Sequence, residues 1–330
     1  MAEPMRVNLL LEIINGSTVL VPLVEGTVKL KQYRKGNPET LTFNVVKDDA
    51  MAKSGGFQEG NVVRLTVDGK KVFYGFIFKK TRTKTGIISC TAYSQQRYLK
   101  NKDSMIYKNL TAGQLVKKIC GDYTLKAGSI ADTGYSMSRV EDECTLFDTI
   151  QNALDETLMN TGNLYVLYDD FGSLALKKPT DMKVDIVIDG GDCEDFYYTS
   201  SIDSETYNQV KLTYDDDKTG KRKIYIAKDG KRRNEWGVLQ YSEKIDDSVK
   251  SPQTRANGLL KLYDKKTRNL KVKGVFGDVR IRGGSLPVVS LNLGDISVGS
   301  RMMVEEVEHN FEAYKYTMDV TLVGNDSFVK

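Results

Sequence analysis

The sequence predicts a mainly β protein with an α+β insert. β-branched and aromatic residues alternate with polar ones through the first hundred residues, a helical period replaces this pattern near Leu110, and strand-like alternation returns from Val184. The 330 residues also exceed the size at which a single hydrophobic core usually stops growing. We therefore expect at least two β regions, with a helix-containing domain between them.

Residues 1–100 are predicted to form a β-barrel-like domain. Two of its turns contain Asn15-Gly16 and Asp68-Gly69, dipeptides that favour the positive φ of a type I′ hairpin turn. The predicted strands are Leu9–Ile14, Thr18–Val21, Thr40–Val46, Val62–Val67, Val72–Phe78 and Ile87–Tyr93. Five or six strands of this kind can form a small barrel or a highly curved sheet.

Residues 101–180 are predicted to form the α+β insert. Thr111 followed by Gln114, and Thr145 followed by Asp148, have the spacing of capping boxes ahead of apolar helical stripes. Gly162 is placed to end the second helix. A hairpin follows, with strands Leu164–Tyr168 and Leu174–Lys177.

Residues 181–330 are predicted to form a second β-barrel-like region, interrupted by a helix at about 252–268. Ser251 is a good N-cap residue, and Pro252 suits the first helical position because its missing N–H costs nothing there. Gly75–Ser94 and Val304–Val323 both have the pattern strand, charged turn, strand. This similarity leaves open whether the two β regions arose by duplication.

Composition argues against several partners. Lys plus Arg number 48 and Asp plus Glu 44, so the net charge of +4 does not indicate a specific nucleic-acid binder. No apolar run approaches the roughly 20 residues that span a bilayer. The first residues lack the basic start of a signal peptide. We therefore expect no membrane partner and synthesis in the cytoplasm.

The sequence offers few residues for chemistry. His309 is the single histidine and has no nucleophile motif around it. The four cysteines are scattered, without a CxxC pair, and Cys90 and Cys120 fit buried free thiols. We predict no enzymatic activity, no catalytic, cofactor-binding or metal-binding residues, and no cofactor. Partner-binding residues stay unknown.

Acidic clusters are the remaining candidates for a site. Residues 141–143, Glu-Asp-Glu, lie ahead of the second helix, where its dipole favours negative charge. Residues 189–195 form an acidic turn without the spacing of a calcium loop. Trp236, the only tryptophan, is interpreted as a core or interface anchor.

In the order of its segments the chain resembles the XkdQ-like baseplate hub proteins of phage tails and phage-tail-like particles. The segments are GNPETLTFNVVKDD with FQEGNVVRLTVDGKKVFYGFI, then EWGVLQYSEKIDD leading to the Ser251 helix, and finally MMVEEVEHNFEAYKYTMDVTL. The resemblance covers about Thr27 to Leu322, and none of the segments is a catalytic signature.

This resemblance implies a structural protein made in the bacterial cytoplasm and incorporated into a tail baseplate. Two tube-like β domains per subunit would let a homotrimer match the hexameric tail tube on one side and a spike on the other. The implied partners are further copies of the chain, the tube protein, the spike protein, and the tape-measure and neighbouring baseplate proteins. One alternative is a tail-associated cell-wall hydrolase with a carboxylate pair. Another is a receptor-binding tail protein, as the 18 tyrosines and the expected exposed loops near Tyr197 and Tyr198 would allow.

Overall fold

Strands dominate the protein. The computed structural model describes residues 7–47, 56–203, 205–216, 220–246, 249, 251–292 and 297–324. Helices are concentrated in the middle of the chain, so the predicted mainly β class with an α+β insert is confirmed. Across the described ranges no helix combines the length and apolar character that crossing a bilayer requires.

Within residues 7–47 and 56–100, the structure describes a first β unit of seven antiparallel strands. They are β1 (Leu9–Asn15), β2 (Thr18–Leu20), β3 (Val24–Tyr33), β4 (Thr40–Val46), β5 (Val62–Val67), β6 (Lys70–Arg82) and β7 (Ile87–Tyr93). β4 shows the usual pattern, because Leu41, Phe43 and Val45 are buried while the residues between them are half-buried. β3 is absent from the predicted strands, although Val28 and Leu30 alternate with lysines.

The two predicted hairpin turns differ in their outcome. Asp68 and Gly69 both have positive φ, 48° and 74°, as a type I′ turn requires. Asn15 instead pairs with Thr18, so the central residues of the first turn are Gly16 and Ser17. Only Gly16 has positive φ, which fits a type II′ turn. The type I′ prediction is wrong there, because the strand continues through Asn15.

A single apolar core fills the first β unit. Its buried side chains come from β1 and from β3 to β7, with Phe57, Phe311 and Tyr316 added. The strand order is β3-β4-β7-β6-β5-β1-β2, which in a flat sheet would separate β1 from β3 by roughly 24 Å. Since both strands contribute to one core, the sheet must curl around it.

The insert packs two helices against short strands. Its elements are a 3-10 helix (Gln95–Lys100), β8 (Lys102–Thr111), α1 (Ala112–Asp122), β9 (Ala127–Ile130), β10 (Ser136–Thr145), α2 (Leu146–Thr161), β11 (Val166–Asp169) and β12 (Leu174–Lys177). Thr111 and Gln114 form the predicted capping box. Thr145 caps α2 without a reciprocal bond, because its hydroxyl donates to the Asp148 side chain. Gly162 ends α2 with φ 71°, as predicted.

In the described ranges after residue 180, the chain adds ten strands and two α-helices. The strands are β13 (Lys183–Asp189), β14 (Asp195–Ser201), β15 (Gln209–Asp216), β16 (Lys221–Lys228), β17 (Gln240–Ile245), β18 (Thr267–Phe276), β19 (Leu286–Asn292), β20 (Ser297–Arg301), β21 (Met303–Phe311) and β22 (Tyr316–Gly324). The helices are α3 (Gly230–Trp236) and α4 (Pro252–Tyr263), and 3-10 turns occupy Pro179–Met182 and Gly190–Asp192.

Strands β15 to β17 and α4 form a core of their own. Val210, Leu212 and Leu259 are buried in it, and Met159 of α2 packs against it. α4 starts at Pro252 as predicted, but Ser251 makes no side-chain capping bond. The helix ends at Tyr263, before the predicted limit of about 268, because Thr267 already belongs to β18.

The second β unit consists of β13, β14 and β18 to β22. Its core contains buried residues from β13, β18, β19, β21 and β22, and Phe196 and Tyr198 of β14 pack against it half-buried. The unit joins the first one through antiparallel pairing of β21 with β3. One eleven-stranded sheet results, in the order β14-β18-β22-β21-β3-β4-β7-β6-β5-β1-β2.

Candidate assembly surface

Eight consecutive strands of this sheet, from β14 to β6, share one mainly polar face, which we call the polar face. On β6 it is confined to Lys79 and Thr81, because Tyr74, Phe76 and Phe78 on the same side of the strand contact aromatic rings of β7 and the insert. Alternation places the apolar side chains of these strands on the two cores, so the intervening residues point the other way. Representative side chains of the polar face are Lys29, Lys31, Thr40, Thr42, Ser89, Thr91, Asn269, Lys271, Glu306, Glu308, Asp319 and Thr321. The face crosses from one β unit to the other without interruption.

Ion pairs cross the junction between the two units on this face. Lys29 Nζ lies 3.0 Å from Glu308, and Lys31 Nζ lies 2.7 Å from Glu306. The hydrogen bond to Glu306 raises the pKa of Lys31. Each pair is partly exposed and adds at most about 1 kcal/mol. Alternation fixes the register of β21 against β3, because a slip of one residue would turn Glu306 and Glu308 toward the core.

A buried ionic cluster lies where both β units meet the insert. Arg282, in the turn before β19, donates to Glu39 Oε1 at 2.5 Å and to the backbone carbonyl of Asp169 at 2.6 Å. Its guanidinium lies 4.0 Å from the centre of the Tyr168 ring. Glu39 precedes β4 and Asp169 ends β11, so a single side chain connects three parts of the fold.

Among the described residues, the cluster contains two buried carboxyl groups but only one cation to pair with them. Burial raises the pKa of Glu39, and the Arg282 charge opposes that effect. Burial and then the charge of Glu39 raise the pKa of Asp169 to about 7. Asp169 Oδ1 accepts the Gly172 N–H at 2.5 Å, whereas Oδ2 has no hydrogen-bond partner within the described ranges. Glu39 is therefore the carboxylate that Arg282 neutralises.

Replacing Asp169 by asparagine is expected to stabilise the protein at pH 8 by roughly 1–3 kcal/mol and to have little effect at pH 5. The folded chain retains the Asp169 proton up to about pH 7, while the unfolded chain releases it near pH 4. The free energy of unfolding of the wild-type protein therefore falls as the pH rises from about 4 through about 7. The asparagine variant should not show this fall. Urea unfolding at four pH values measures it, with the exposed Asp170→Asn as control. A difference independent of pH would contradict the assignment.

His309 is part of the core. It is fully buried, with Nε2 3.0 Å from the carbonyl of Ile281 and Nδ1 2.8 Å from the hydroxyl of Tyr316. Burial lowers its pKa to about 4. The neutral ring then donates from Nε2 and accepts from Tyr316, an arrangement that links β21, β22 and the turn at Ile281.

The acidic clusters considered in the sequence have structural partners. Glu141 is buried and accepts from Arg139 at 2.7 Å and from Asn152 at 3.0 Å. Asp189 caps a 3-10 turn by accepting the Gly191 N–H. Among the described residues no group of three or more potential metal ligands occurs.

Other residues singled out in the sequence have varied positions. Cys90 and Cys120 are buried free thiols, as predicted. Trp236 ends α3, a helix that the sequence patterns do not predict, and it is half-buried with Arg232 at 5.0 Å from its ring. The core alternative for Trp236 is therefore wrong, while the interface alternative stays a prediction. Tyr197 and Tyr198 lie in β14, not in a loop.

The fold is that of phage tail proteins. It resembles the crystal structure of the 43 kDa tail protein of prophage MuSo2 from Shewanella oneidensis, with a TM-score of 0.68, 11% identity, and coverage of 97% of this chain and 99% of that chain. A tail protein from Neisseria meningitidis MC58 gives 0.65, with 12% identity over 97% and 98% of the two chains. At these identities the likeness defines the class of fold.

Sequence comparison places the chain more narrowly. The YQBQ-like family model matches residues 28–323, and the chain belongs to this family. It is also 28% identical over 316 residues to the phage-like element PBSX protein XkdQ of Bacillus subtilis (strain 168), covering 94% of this chain and 95% of XkdQ. The resemblance noted in the sequence is confirmed.

Proposed function

We propose that this protein is the structural hub of a baseplate, in a phage or a phage-tail-like particle, and that it has no reaction of its own. The observation that carries the proposal is the polar face, which extends over two β units of one chain. A tube wall needs a continuous sheet whose one face tolerates water and whose other face is backed by cores. Family membership supports the same assignment.

Three copies of the chain would supply six β units. Residues 1–100 and the strands of residues 181–330 would then act as tube-like domains, with residues 101–180 as the insert between them. Such a ring would meet a six-fold tail tube on one side and a three-fold spike on the other. The polar face would line the channel, and the further partners would be the tape-measure and neighbouring baseplate proteins.

Deletion of the gene from a lysogen tests the role. Without a hub we expect tail tubes to lose their starting platform, so electron micrographs of induced lysates should show at least tenfold fewer complete tails. Expression of the full chain in trans should restore them. Normal tails from the deletion strain would contradict the proposal.

The purified chain gives two further measurements. Light scattering should report a mass three times 37.0 kDa, for the chain alone or after its tube or spike partner is added. A peptidoglycan zymogram should stay uncleared, because the acidic clusters are engaged in structural bonds. A clearing band, or a stable dimer under both conditions, would contradict the hub assignment.

A further inference from the structure

The two β units repeat one strand order. In the first unit β3, β4, β6 and β7 are arranged as β3-β4-β7-β6, and in the second unit β14, β18, β21 and β22 are arranged as β14-β18-β22-β21. All of these pairs are antiparallel. β3 thus corresponds to β14, β4 to β18, β7 to β22 and β6 to β21.

An equivalent irregularity interrupts both hairpins. The register of β6 against β7 shifts between Ile77 and Lys79, opposite Ala92 and Thr91. The register of β21 against β22 shifts in the same way, between residues 304 and 306 and opposite residues 322 and 321. A bulge is a specific local feature, so its recurrence at the same point of the ladder aligns Lys79 with Glu306.

The segments beside these bulges agree as well. Gly60 has φ 88° and donates its N–H to the carbonyl of Ile77 at 2.7 Å; Gly284 has φ 89° and donates to Val304 at 2.8 Å. The residue after each glycine accepts the returning N–H, at 2.9 and 3.0 Å. These matched contacts support a duplicated unit and extend the hairpin similarity seen in the sequence.

One junction of this repeat is formed within the chain and the other is open. β21 pairs with β3 inside the chain. The equivalent strands are β6 and β14, which lie at opposite ends of the eight-strand array. Along Lys79–Arg82, β6 pairs only with β7, and β14 pairs only with β18, within the described part of the chain. Each copy therefore has two different free edges.

The burial of β14 is that of a strand without its neighbour. Val28 and Leu30 of β3, which β21 covers, are 1% and 0% exposed. The equivalent residues of β14, Phe196 and Tyr198, are only half-buried although they face the core of their unit. A strand placed beside β14 would bury them as β21 buries their counterparts.

We propose that the Lys79–Arg82 edge of one copy pairs antiparallel with β14 of a second copy of this chain. The occupant is a second copy because the chain already forms the same junction internally. The β14 edge is not used by any other strand in the described residues.

The internal junction also predicts the register. Leu30 lies opposite Leu41, and Tyr198 lies opposite Leu270, so Lys31 corresponds to Thr199. At the internal junction Lys31 pairs with Glu308. Because Lys79 aligns with Glu306, Thr81 aligns with Glu308. Thr81 of one copy therefore lies opposite Thr199 of the next. Both threonines are exposed in the single chain.

Two different edges form a heterologous contact, which produces a ring when the rotation closes. This pairing rests on the proposed function only for the number of copies in the ring. In a ring of three, the eight-strand arrays of the copies would join into one continuous sheet. The polar face would then run around the whole circumference.

Cysteine crosslinking tests the pairing. In full-length chain with Cys144 and Cys193 changed to serine, the double variant Thr81→Cys with Thr199→Cys should form disulfides on mild oxidation, because directly opposite positions suit disulfide distances. We expect a ladder of linked copies holding most of the protein. Each single variant alone should stay unlinked, and their mixture should stop at a linked dimer.

The matched control shifts the register by one pair. Thr81→Cys with Tyr197→Cys places the sulfurs on diagonal positions, too far apart for efficient bonding, and should give less than a tenth of the crosslink. Equal yields from both pairs, homodimers of a single variant, or no crosslink at any concentration would overturn the pairing. A trimer by mass that forms no crosslink would contradict the strand pairing but not the trimeric hub. A crosslinked ring with a number of copies other than three would contradict the trimeric hub but not the strand pairing.

Discussion

Replacing Arg282 by methionine is expected to lower the free energy of unfolding by about 3 kcal/mol. Methionine retains most of the length of the side chain but leaves Glu39, whose side chain is 4% exposed, without its cation. Breaking one partner of a buried ion pair costs several kcal/mol because the remaining charge is neither hydrated nor paired. Urea unfolding followed by circular dichroism measures the loss.

A neighbouring arginine provides the control. Arg280 pairs with Asp278 at 2.8 Å on the surface, with 54% of its side chain exposed, so Arg280→Met should change stability by no more than about 0.5 kcal/mol. Adding Glu39→Gln to the Arg282 variant should recover part of its loss, since the orphaned charge is removed. Equal effects of the two arginine variants would show that the buried cluster is not a stabilising link.

The second large effect is expected from Gly283→Ala, which should cost about 3 kcal/mol or more. A Cβ at Gly283 would lie 2.3 Å from the carbonyl carbon of Tyr33, at the end of β3. Backbone cannot rotate away as a flexible side chain can, so the turn or the strand has to move. Thermal unfolding should show a lower midpoint, and the yield of soluble protein should fall.

A second glycine separates this clash from a general effect of alanine. A Cβ added at Gly299 in β20 would have no atom within 4 Å, and the φ of this glycine is ordinary, so Gly299→Ala should remain within about 0.5 kcal/mol of wild type. If Gly283→Ala were equally harmless, the close approach of the two β units at this turn would be disproved.

Both predictions concern one turn, residues 282–284. Arg282 contacts Glu39 and Asp169, Gly283 lies against the end of β3, and a Cβ at Gly284 would lie 2.7 Å from Val166. The turn thus fits between both β units and the insert. These contacts hold the two β units and the insert in one relative arrangement.

Local signals account for what could be predicted. The Asp68-Gly69 hairpin, the Thr111 capping box and the Gly162 helix end depend on residues within a few positions of one another, and all three are confirmed. α3 lacks a comparable signal, since its seven residues bury no side chain. Its N-cap, Asp229, accepts the Arg232 N–H, a bond that the sequence also allows for an ordinary turn.

The residues of the candidate site show the same difference between local and long-range signals. The sequence supplies the absence of a nucleophile motif and the buried character of Cys90 and Cys120, because those follow from residue type and local pattern. It does not identify Arg282, whose partners Glu39 and Asp169 are 243 and 113 residues away. β14 is not predicted from the sequence for a related reason. Its apolar alternation is weak, and its pairing with β18 is a contact between distant parts of the chain.

By itself the sequence determined the mainly β class, the position of the helical insert and membership of the YQBQ-like family, since these depend on periodicity, turn residues and segment order. Only the tertiary structure decided that β21 pairs with β3, that the two β units share one strand order, and that two edges have no partner strand among the described residues. Strand pairing joins residues far apart in the chain, and its register depends on which side chains meet across the gap.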